Sequence, residues 1–558
     1  MSGGHMLMEA FLKEGVHLIF GYPGGAIMPV YDSLYHYRKQ IHHVLVRHEQ
    51  GAAHAAEGYA RMTGNPAVCL VTSGPGATNL VTGIADAMMD SVPIVCITGQ
   101  VAAHFVGTDA FQEADVIGMT TPITKWNYQV TRASEIGEVI PKAFAIAKSG
   151  RPGPVVIDIT KNAQLEVADF IYKKYVPKKL YKHISKQTKE IAMASKLLNS
   201  AKRPYILIGH GIQIARAEKE LQTFIEKGGF PVAATLHGLS SFPTKHPLYV
   251  GMLGMHGNYG PNVLTNKADV IVAIGMRFDD RVTGRAKDYA PHAKIIHIDI
   301  DPSEFNKIIK TTVSISGDAK EALQKLTPLI KKTSHKEWLS QFRACDVIEY
   351  EKAMKKELAP TTPNIKMAEV IDQLSKKTKG QAVIVADVGQ HQMMAARYYK
   401  FRNPKSFITS GGLGTMGFAL PASLGAKMAA SGRNVIAVIG DGSFQMTIQE
   451  LATIAQENIP IKIVLLNNNY LGMVRQWQEL FFQKRYSFVD LDNPDFIQVA
   501  KGFRIPGKKV EKRKDLAREI DAMLAAKTPC LLEVVVEKEG NVFPMIATGA
   551  SVEEIRLE

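Results

Sequence analysis

The sequence predicts an α/β protein of three domains, each a mainly parallel sheet flanked by helices. Three observations carry that prediction. The chain has 558 residues, several times the size of one domain. Short β-branched runs ending in Gly or Asp recur along it, each followed by a helical pattern, which is the pattern of parallel strands with helical crossovers. Two charged stretches of weak periodicity, Lys173–Lys189 and Lys331–Pro363, divide these runs into three groups. The first group, residues 1–172, contains AVCLVTSGPGATN (Ala67–Asn79), PIVCITGQ (Pro93–Gln100) and PVVIDITKN (Pro154–Asn162). The second, 190–335, contains PYILIGHG (Pro204–Gly211), DVIVAIGMRFDD (Asp269–Asp280) and KIIHIDIDP (Lys294–Pro302). The third, 363–540, opens with QAVIVADVGQHQ (Gln381–Gln392). It continues through NVIAVIGDGSF (Asn434–Phe444) and IKIVLLNNN (Ile461–Asn469) to CLLEVVVE (Cys530–Glu537), and residues 541–558 form a C-terminal tail.

Composition narrows the function classes. Apolar residues make up 46% and charged residues 22%, enough to build sizeable cores. No apolar run approaches the ~18 residues that span a bilayer, so no membrane segment is expected. The start, MSGGHMLMEAFLKEG, lacks the layout of a secretory signal, so the expected location is cytoplasmic. The net charge of +14 suits anionic small substrates or a basic surface. Its Lys-rich focus at Lys173–Lys189 reads as an interdomain linker. No zinc-finger spacing, RNA-binding sheet motif or basic heptad region supports nucleic-acid binding. Cys69, Cys96, Cys345 and Cys530 form no CxxC, which points to a reducing compartment, buried thiols and no structural zinc.

The strongest chemical signal lies in the third group. Strand VIAVIG ends in Gly440-Asp441-Gly442-Ser443 and strand KIVLLNNN ends in Asn467-Asn468-Asn469, one strand–helix–strand crossover later. Both therefore arrive at the carboxyl ends of parallel strands, where open α/β sheets bind ligands. A carboxylate, an amide oxygen and a backbone carbonyl suit an octahedral Mg²⁺ that also holds phosphate oxygens. Gly440 and Gly442 are expected to let the backbone approach the diphosphate. This pair of segments resembles the diphosphate motif of thiamine diphosphate (ThDP) enzymes. That cofactor reacts only if its C2 carbon loses a proton to its own 4′-imino group, and the imino tautomer needs a carboxylic acid on N1′ of the pyrimidine. VLVRHEQGAAHAAEGYAR (Val44–Arg61) supplies Glu49 after a strand and at the opening of a helix. Glu57, deeper in that helix, reads as a packing or surface acid.

The resemblance extends over nearly the whole chain to the biosynthetic, FAD-containing acetohydroxyacid synthase (acetolactate synthase) family. It is carried by GYPGGAIMPVYD (Gly21–Asp32), TSGPGATNLVTGIADA (Thr72–Ala87), GTDAFQE (Gly107–Glu113) and SGRPGPVVIDITKN (Ser149–Asn162). It continues through GMLGMHG (Gly251–Gly257), RFDDRVTG (Arg277–Gly284), GQHQM (Gly389–Met393), GGLGTMGFALPA (Gly411–Ala422) and LNNNYLGMVRQWQE (Leu466–Glu479). The resemblance implies a ThDP pyrimidine-binding first domain, a central FAD-binding domain and a ThDP diphosphate domain. Glu49 matches the cofactor-activating acid, and Asp441, Asn468 and the carbonyl of Tyr470 match the Mg²⁺ ligands. Gln390 and His391 match donors to the diphosphate beside Gly440, Gly442 and Ser443, and Gly414 and Met416 match contacts to the aminopyrimidine. Gly25, Phe111, Gln112, Met473 and Trp477 match residues around the reacting carbon in that family, and Arg281 is a candidate to meet an acceptor carboxylate.

In the central domain Gly209 and Gly211 form a partial dinucleotide fingerprint lacking its third glycine. The family match adds Arg151, Gly251, Met255, His256, Gly275, Arg277, Arg281, Asp299 and Asp318 around the flavin. The implied reaction joins pyruvate, after loss of CO₂, to a second 2-ketoacid. Pyruvate as acceptor gives 2-acetolactate, and 2-ketobutyrate gives 2-aceto-2-hydroxybutyrate, on the way to valine, leucine and isoleucine. No net electron transfer occurs, so the implied FAD is structural. The implied assembly is a homodimer that can pair into tetramers, with a small regulatory subunit. Two rival readings are a pyruvate oxidase, which shares the cofactors but uses the flavin for electrons, and a non-catalytic relative. Departures from the family pattern at Ala102, Ala103 and Trp126 are expected to flank the substrate channel.

Overall fold

The β-branched runs fold as strands because helices cover both faces of each sheet, so every residue of AVCLV, IVCITGQ and VVIDIT is buried. The computed structural model describes residues 1–178, 184–430 and 432–558, so part of the Lys173–Lys189 stretch, at 179–183, lies outside the described residues. In the N-terminal domain, β1 (Leu18–Tyr22), β2 (His42–Leu45), β3 (Ala67–Val71), β4 (Ile94–Gln100), β5 (Trp126–Val130) and β6 (Val155–Thr160) form a parallel sheet. Its order is β2-β1-β3-β4-β6-β5.

The central domain contains β7 (Pro204–Ile208), β8 (Val232–Ala234), β9 (Tyr249–Met252), β10 (Val270–Ile274), β11 (Lys294–Asp299) and β12 (Val313–Ser316). Their order, β12-β11-β10-β7-β8-β9, is that of a doubly wound dinucleotide-binding sheet, with its switch point between β7 and β10. The third sheet comprises β13 (Val383–Ala386), β14 (Phe407–Thr409), β15 (Val435–Gly440), β16 (Lys462–Asn467), β17 (Gly507–Val510) and β18 (Cys530–Val535). Its order, β14-β13-β15-β16-β18-β17, repeats that of the first. Three parallel α/β domains are therefore present, as the sequence predicts.

One helix pair joins the N- and C-terminal domains. The Ala-rich helix Glu49–Thr63, stopped by Gly64 at φ 73°, packs on the helix Ala419–Ala429. A Cβ at Gly58 would overlap the Ala422 carbonyl, and one at Gly425 would overlap the Ala55 carbonyl. Glycine and alanine are required here because the two backbones touch.

The segments between and after the domains also pack. Within Lys331–Pro363 lies the helix Lys336–Glu349. It buries Trp338, Phe342 and Cys345 against Tyr205 and Leu207 of the central domain, and the Trp338 indole donates to the Pro204 carbonyl at 2.9 Å. The tail 541–558 returns to the same domain, burying Ile546, Val552 and Ile555. Its Ile546 amide donates to the Met255 carbonyl at 2.8 Å. All four cysteines are buried and unbridged. Among the described residues, no helix is long and apolar enough to cross a membrane.

Candidate active site

The C-terminal sheet builds a small pocket at its switch point, between the segments that follow β13 and β15. Asp441, 1% exposed, opens the helix Asp441–Met446 directly after β15. Burial pushes its carboxyl up to about 6, and the Asn493 amide donates to it at 2.7 Å. The three asparagines after β16 divide their tasks. Asn467 donates to Glu533 on β18 at 2.8 Å, Asn469 turns the chain at φ 54°, and Asn468 between them lines the pocket with Asp441 and Tyr470. Asn493 and Glu533 carry no local motif, and no sequence signal marks them.

His391 is buried and held neutral, since burial pushes its pKa down to about 3, and its Nε2 has no protein partner. Its ring fills the space that a Cβ at Gly389 or Gly440 would need, 2.7 Å away in each case. A Cβ at Gly442 would meet the Leu471 side chain at the same distance. These glycines therefore admit neighbouring side chains at the pocket wall. The Gln390 amide, at the pocket wall, donates to Gln476 Oε1 at 3.0 Å and to the Gly540 carbonyl at 2.8 Å. Ser443 lines the pocket while donating to the Val388 carbonyl at 3.2 Å.

A cavity of about 540 Å³ adjoins this pocket, and Met416, Met473 and Gly389 line both. It runs from Gly414, Met473 and Trp477 to the switch point of the central sheet, where Gly209 and Gly211 follow β7 and Gly275 and Arg277 follow β10. A Cβ at Gly211 would come within 2.6 Å of the Gly275 Cα, so the two loops meet backbone to backbone. Asp299, at the end of β11, lines the cavity, and burial pushes it up to about 7. Asp318 lines it too, but its carboxylate caps the helix Ala319–Leu326 by accepting from the Lys320 and Glu321 amides at 2.8 and 3.1 Å. Arg151 reaches in from the N-terminal domain, donating to Ser91 Oγ at 2.8 Å. Arg281 lies against Met255, with Nη1 3.2 Å from its sulfur. His256 lines the cavity with a buried, unpartnered Nδ1. Gly251 does not line it: Gly251 sits in β9 against Asn258, with the Asn258 Oδ1 2.6 Å from where its Cβ would be.

The remaining site residues gather elsewhere, at the carboxyl end of the first sheet. Glu49 begins its helix and accepts from Asn79 Nδ2 at 2.9 Å. Thr72, after β3, accepts from the Ala26 amide beside Gly25 at 3.3 Å, and Gln112, at φ 61°, carries its carbonyl against Gly74. Phe111 stands 89% exposed. Glu49, Gly25, Phe111 and Gln112 line neither cavity of the chain that carries them. Trp126 lies outside both as well, stacked on Tyr128 with Lys142 Nζ 4.4 Å from its ring centroid. Glu57 is no surface acid. It is fully buried, hydrogen-bonded to His54 at 2.9 Å and pushed well above the carboxylate range by burial.

One buried carboxylate locks the three domains around the larger cavity. Asp90 accepts from Arg61 at 2.7 Å, from His237 of the central domain at 2.9 Å, and from the Gly411 and Gly412 amides at 3.0 and 2.7 Å. Burial alone would raise its pKa, but His237 and Arg61 together with the Gly411 amide hold it below the carboxylate range. The loop that carries Gly414 and Met416 is thus pinned at its start by the N-terminal domain.

Comparison with known proteins agrees with this layout. Three family models match in order: the thiamine pyrophosphate enzyme N-terminal TPP binding domain at residues 1–119, the central domain at 191–326 and the C-terminal TPP binding domain at 387–534. The chain is 44% identical over 558 residues to the acetolactate synthase isozyme 2 large subunit of Escherichia coli K12, covering 100% of this chain and 99% of that one. It is 45% identical over 574 residues to the acetolactate synthase large subunit of Corynebacterium glutamicum, covering 100% and 90%. With the acetolactate synthase large subunit of Lactococcus lactis it shares 44% over 563 residues, covering 99% and 96%. Two thiamine pyrophosphate domains flanking a dinucleotide-type sheet, matched over full length by these relatives, show that the chain belongs to the acetolactate synthase large subunits of the thiamine pyrophosphate enzyme family.

Proposed function

We propose that this chain condenses pyruvate, with loss of CO₂, onto a second 2-ketoacid, the first common step of branched-chain amino acid synthesis. The observation that carries the reading is the continuity of the Asp441–Asn468 pocket with the cavity lined by Met473 and Trp477. An acidic and amide oxygen set beside an orphaned neutral imidazole suits Mg²⁺ and a diphosphate, with Asp441, Asn468 and the Tyr470 carbonyl as ligands and His391 Nε2 as donor. ThDP, when bound, would supply a C2 nucleophile for the keto carbon of pyruvate and a thiazolium ring that accepts the electron pair left behind by departing CO₂. Glu49 would meet N1′ of the pyrimidine, and Gly414 and Met416 would pack against that ring. Arg281 pairs with the acceptor carboxylate. The cavity at the central switch point suits FAD, which the glycine loops, Asp299 and His256 would hold. Condensation moves no net electrons, so this flavin is structural.

Glu49 and Asp441 must touch the two ends of one short cofactor, yet in one chain Asp441 lines the smaller pocket and Glu49 lines neither cavity. The reading therefore places the N-terminal group of one chain against the C-terminal pocket of a partner in a twofold homodimer, which can pair into tetramers. Relatives named as large subunits support a small regulatory partner. Four free thiols fit a reducing, cytoplasmic setting.

Trp477 packs on Phe481 with ring centroids 5.0 Å apart and presents its indole to the cavity. Trp477→Leu should shift product choice more than rate, by removing a flat apolar surface for an ethyl group. The ratio of 2-aceto-2-hydroxybutyrate to 2-acetolactate, measured with both acceptors present, should fall. An unchanged ratio would make Trp477 a packing residue only.

Product analysis tests the reaction itself. Purified protein with pyruvate, ThDP, Mg²⁺ and FAD should release one CO₂ per acetolactate formed and consume no oxidant. Acetate or acetyl phosphate with flavin reduction would identify an oxidase instead.

A further inference from the structure

The acid of a ThDP site must be aimed as well as present, and the turn that delivers Glu49 is held by a residue of the other ThDP domain. We infer that Glu450 is the positioning residue for Glu49, an inference that rests on the proposed role of Glu49. Glu450 opens the helix Glu450–Gln456 of the C-terminal domain and is fully buried. Its Oε1 accepts from the backbone amides of Arg47 at 2.9 Å and His48 at 3.1 Å, the two residues immediately before Glu49. Its Oε2 accepts from Thr453 Oγ1 at 2.8 Å, and that hydroxyl also lies 3.2 Å from the Leu45 carbonyl at the end of β2. Gln456, one turn further along, accepts from Arg47 Nη2 at 2.7 Å.

One face of this helix, at Glu450, Thr453 and Gln456, therefore clamps the whole strand-to-helix turn from Leu45 to His48. Such a turn would otherwise leave two amides with no acceptor, free to swing the carboxylate that follows. Room for the clamp is built into the N-terminal helix. A Cβ at Gly51 would lie 2.5 Å from Glu450 Oε1, so only glycine there admits the carboxylate. The clamp is geometric rather than ionic, because amides need an acceptor oxygen and not a charge. The substitution Glu450→Gln keeps that oxygen, with the new NH₂ donating to the Thr453 hydroxyl and that hydroxyl donating to the Leu45 carbonyl.

The test reads the proton step directly, as the rate of H/D exchange at C2 of bound ThDP, measured by NMR after acid quench, with cofactor affinity measured by calorimetry. Glu450→Ala should slow exchange by about 10- to 100-fold, the scale of a small misplacement of a catalytic group. ThDP and Mg²⁺ affinity should be unchanged. Gly51→Ala, which keeps the carboxylate but pushes it aside, should slow exchange in the same way and carries the test if Glu450→Ala does not fold. Glu450→Gln should restore most of the rate. Wild-type exchange in folded Glu450→Ala or Gly51→Ala protein would overturn the inference, as would a Glu450→Gln defect equal to that of Glu450→Ala. Glu49→Gln, run alongside, separates the two levels. If it exchanges normally the proposed role of Glu49 falls, whereas if it fails while Glu450→Ala exchanges normally only the positioning inference falls.

Discussion

Glu49→Gln should lower kcat by about 10²- to 10⁴-fold, the range supplied by a positioned general acid or base, while the protein still folds and binds ThDP. The substitution keeps the shape of the side chain, and the helix start is capped by His48, which accepts from the Gln50 amide at 3.2 Å. Asn79 can reorient its amide to pair with a glutamine. What disappears is the exchangeable acid proton, and an amide cannot drive the pyrimidine toward its imino tautomer. Steady-state kinetics with calorimetry separates these effects. Near-normal turnover would remove Glu49 from the mechanism.

Asp441→Ala should fail at binding instead. It deletes the one charged ligand of the proposed Mg²⁺ site and strands the Asn493 amide that donates to it. Losing an outer partner of a metal ligand typically costs about 10- to 100-fold in affinity. Losing the ligand itself should therefore weaken Mg²⁺-dependent ThDP binding by more than about 100-fold on the same scale. Excess Mg²⁺ and ThDP should recover part of the activity, which they cannot do for Glu49→Gln. Unchanged ThDP affinity would mean that the diphosphate binds elsewhere.

The fold was legible because its signals are local. A β-branched run closed by glycine and followed by a helical pattern reports a covered parallel strand wherever it occurs, and 67–71, 270–274 and 435–440 all behave so. Strand order was not legible, since pairing β7 with β10 is decided by residues far apart in the chain. The same distinction sorts the site. Asp441 and Asn468 directly follow strands, so their place at the carboxyl end of the sheet follows from the sequence around them. Asn493, Asp90 and Glu450 reach their partners from other segments or other domains, and nothing beside them in sequence shows it. The packing of the helix Lys336–Glu349 is hidden in a stretch of weak periodicity, where Lys and Glu residues surround the buried Trp338 and Phe342. The resemblance implies a place for Gly251 around the flavin, and what the structure shows there is the Asn258 side chain packed against it. Gln390 sits where a diphosphate donor should be, yet the returning segment at Gly540 claims its amide.

The central claim is that Glu49 of one chain and Asp441 of another complete a single ThDP site. Mixing inactive Glu49→Gln chains with inactive Asp441→Ala chains under subunit exchange tests it most directly. Random pairing should make about half the dimers mixed, each with one intact and one doubly damaged site, so activity should return to about a quarter of wild type. No recovery despite proven exchange would contradict the claim and assign each site to a single chain.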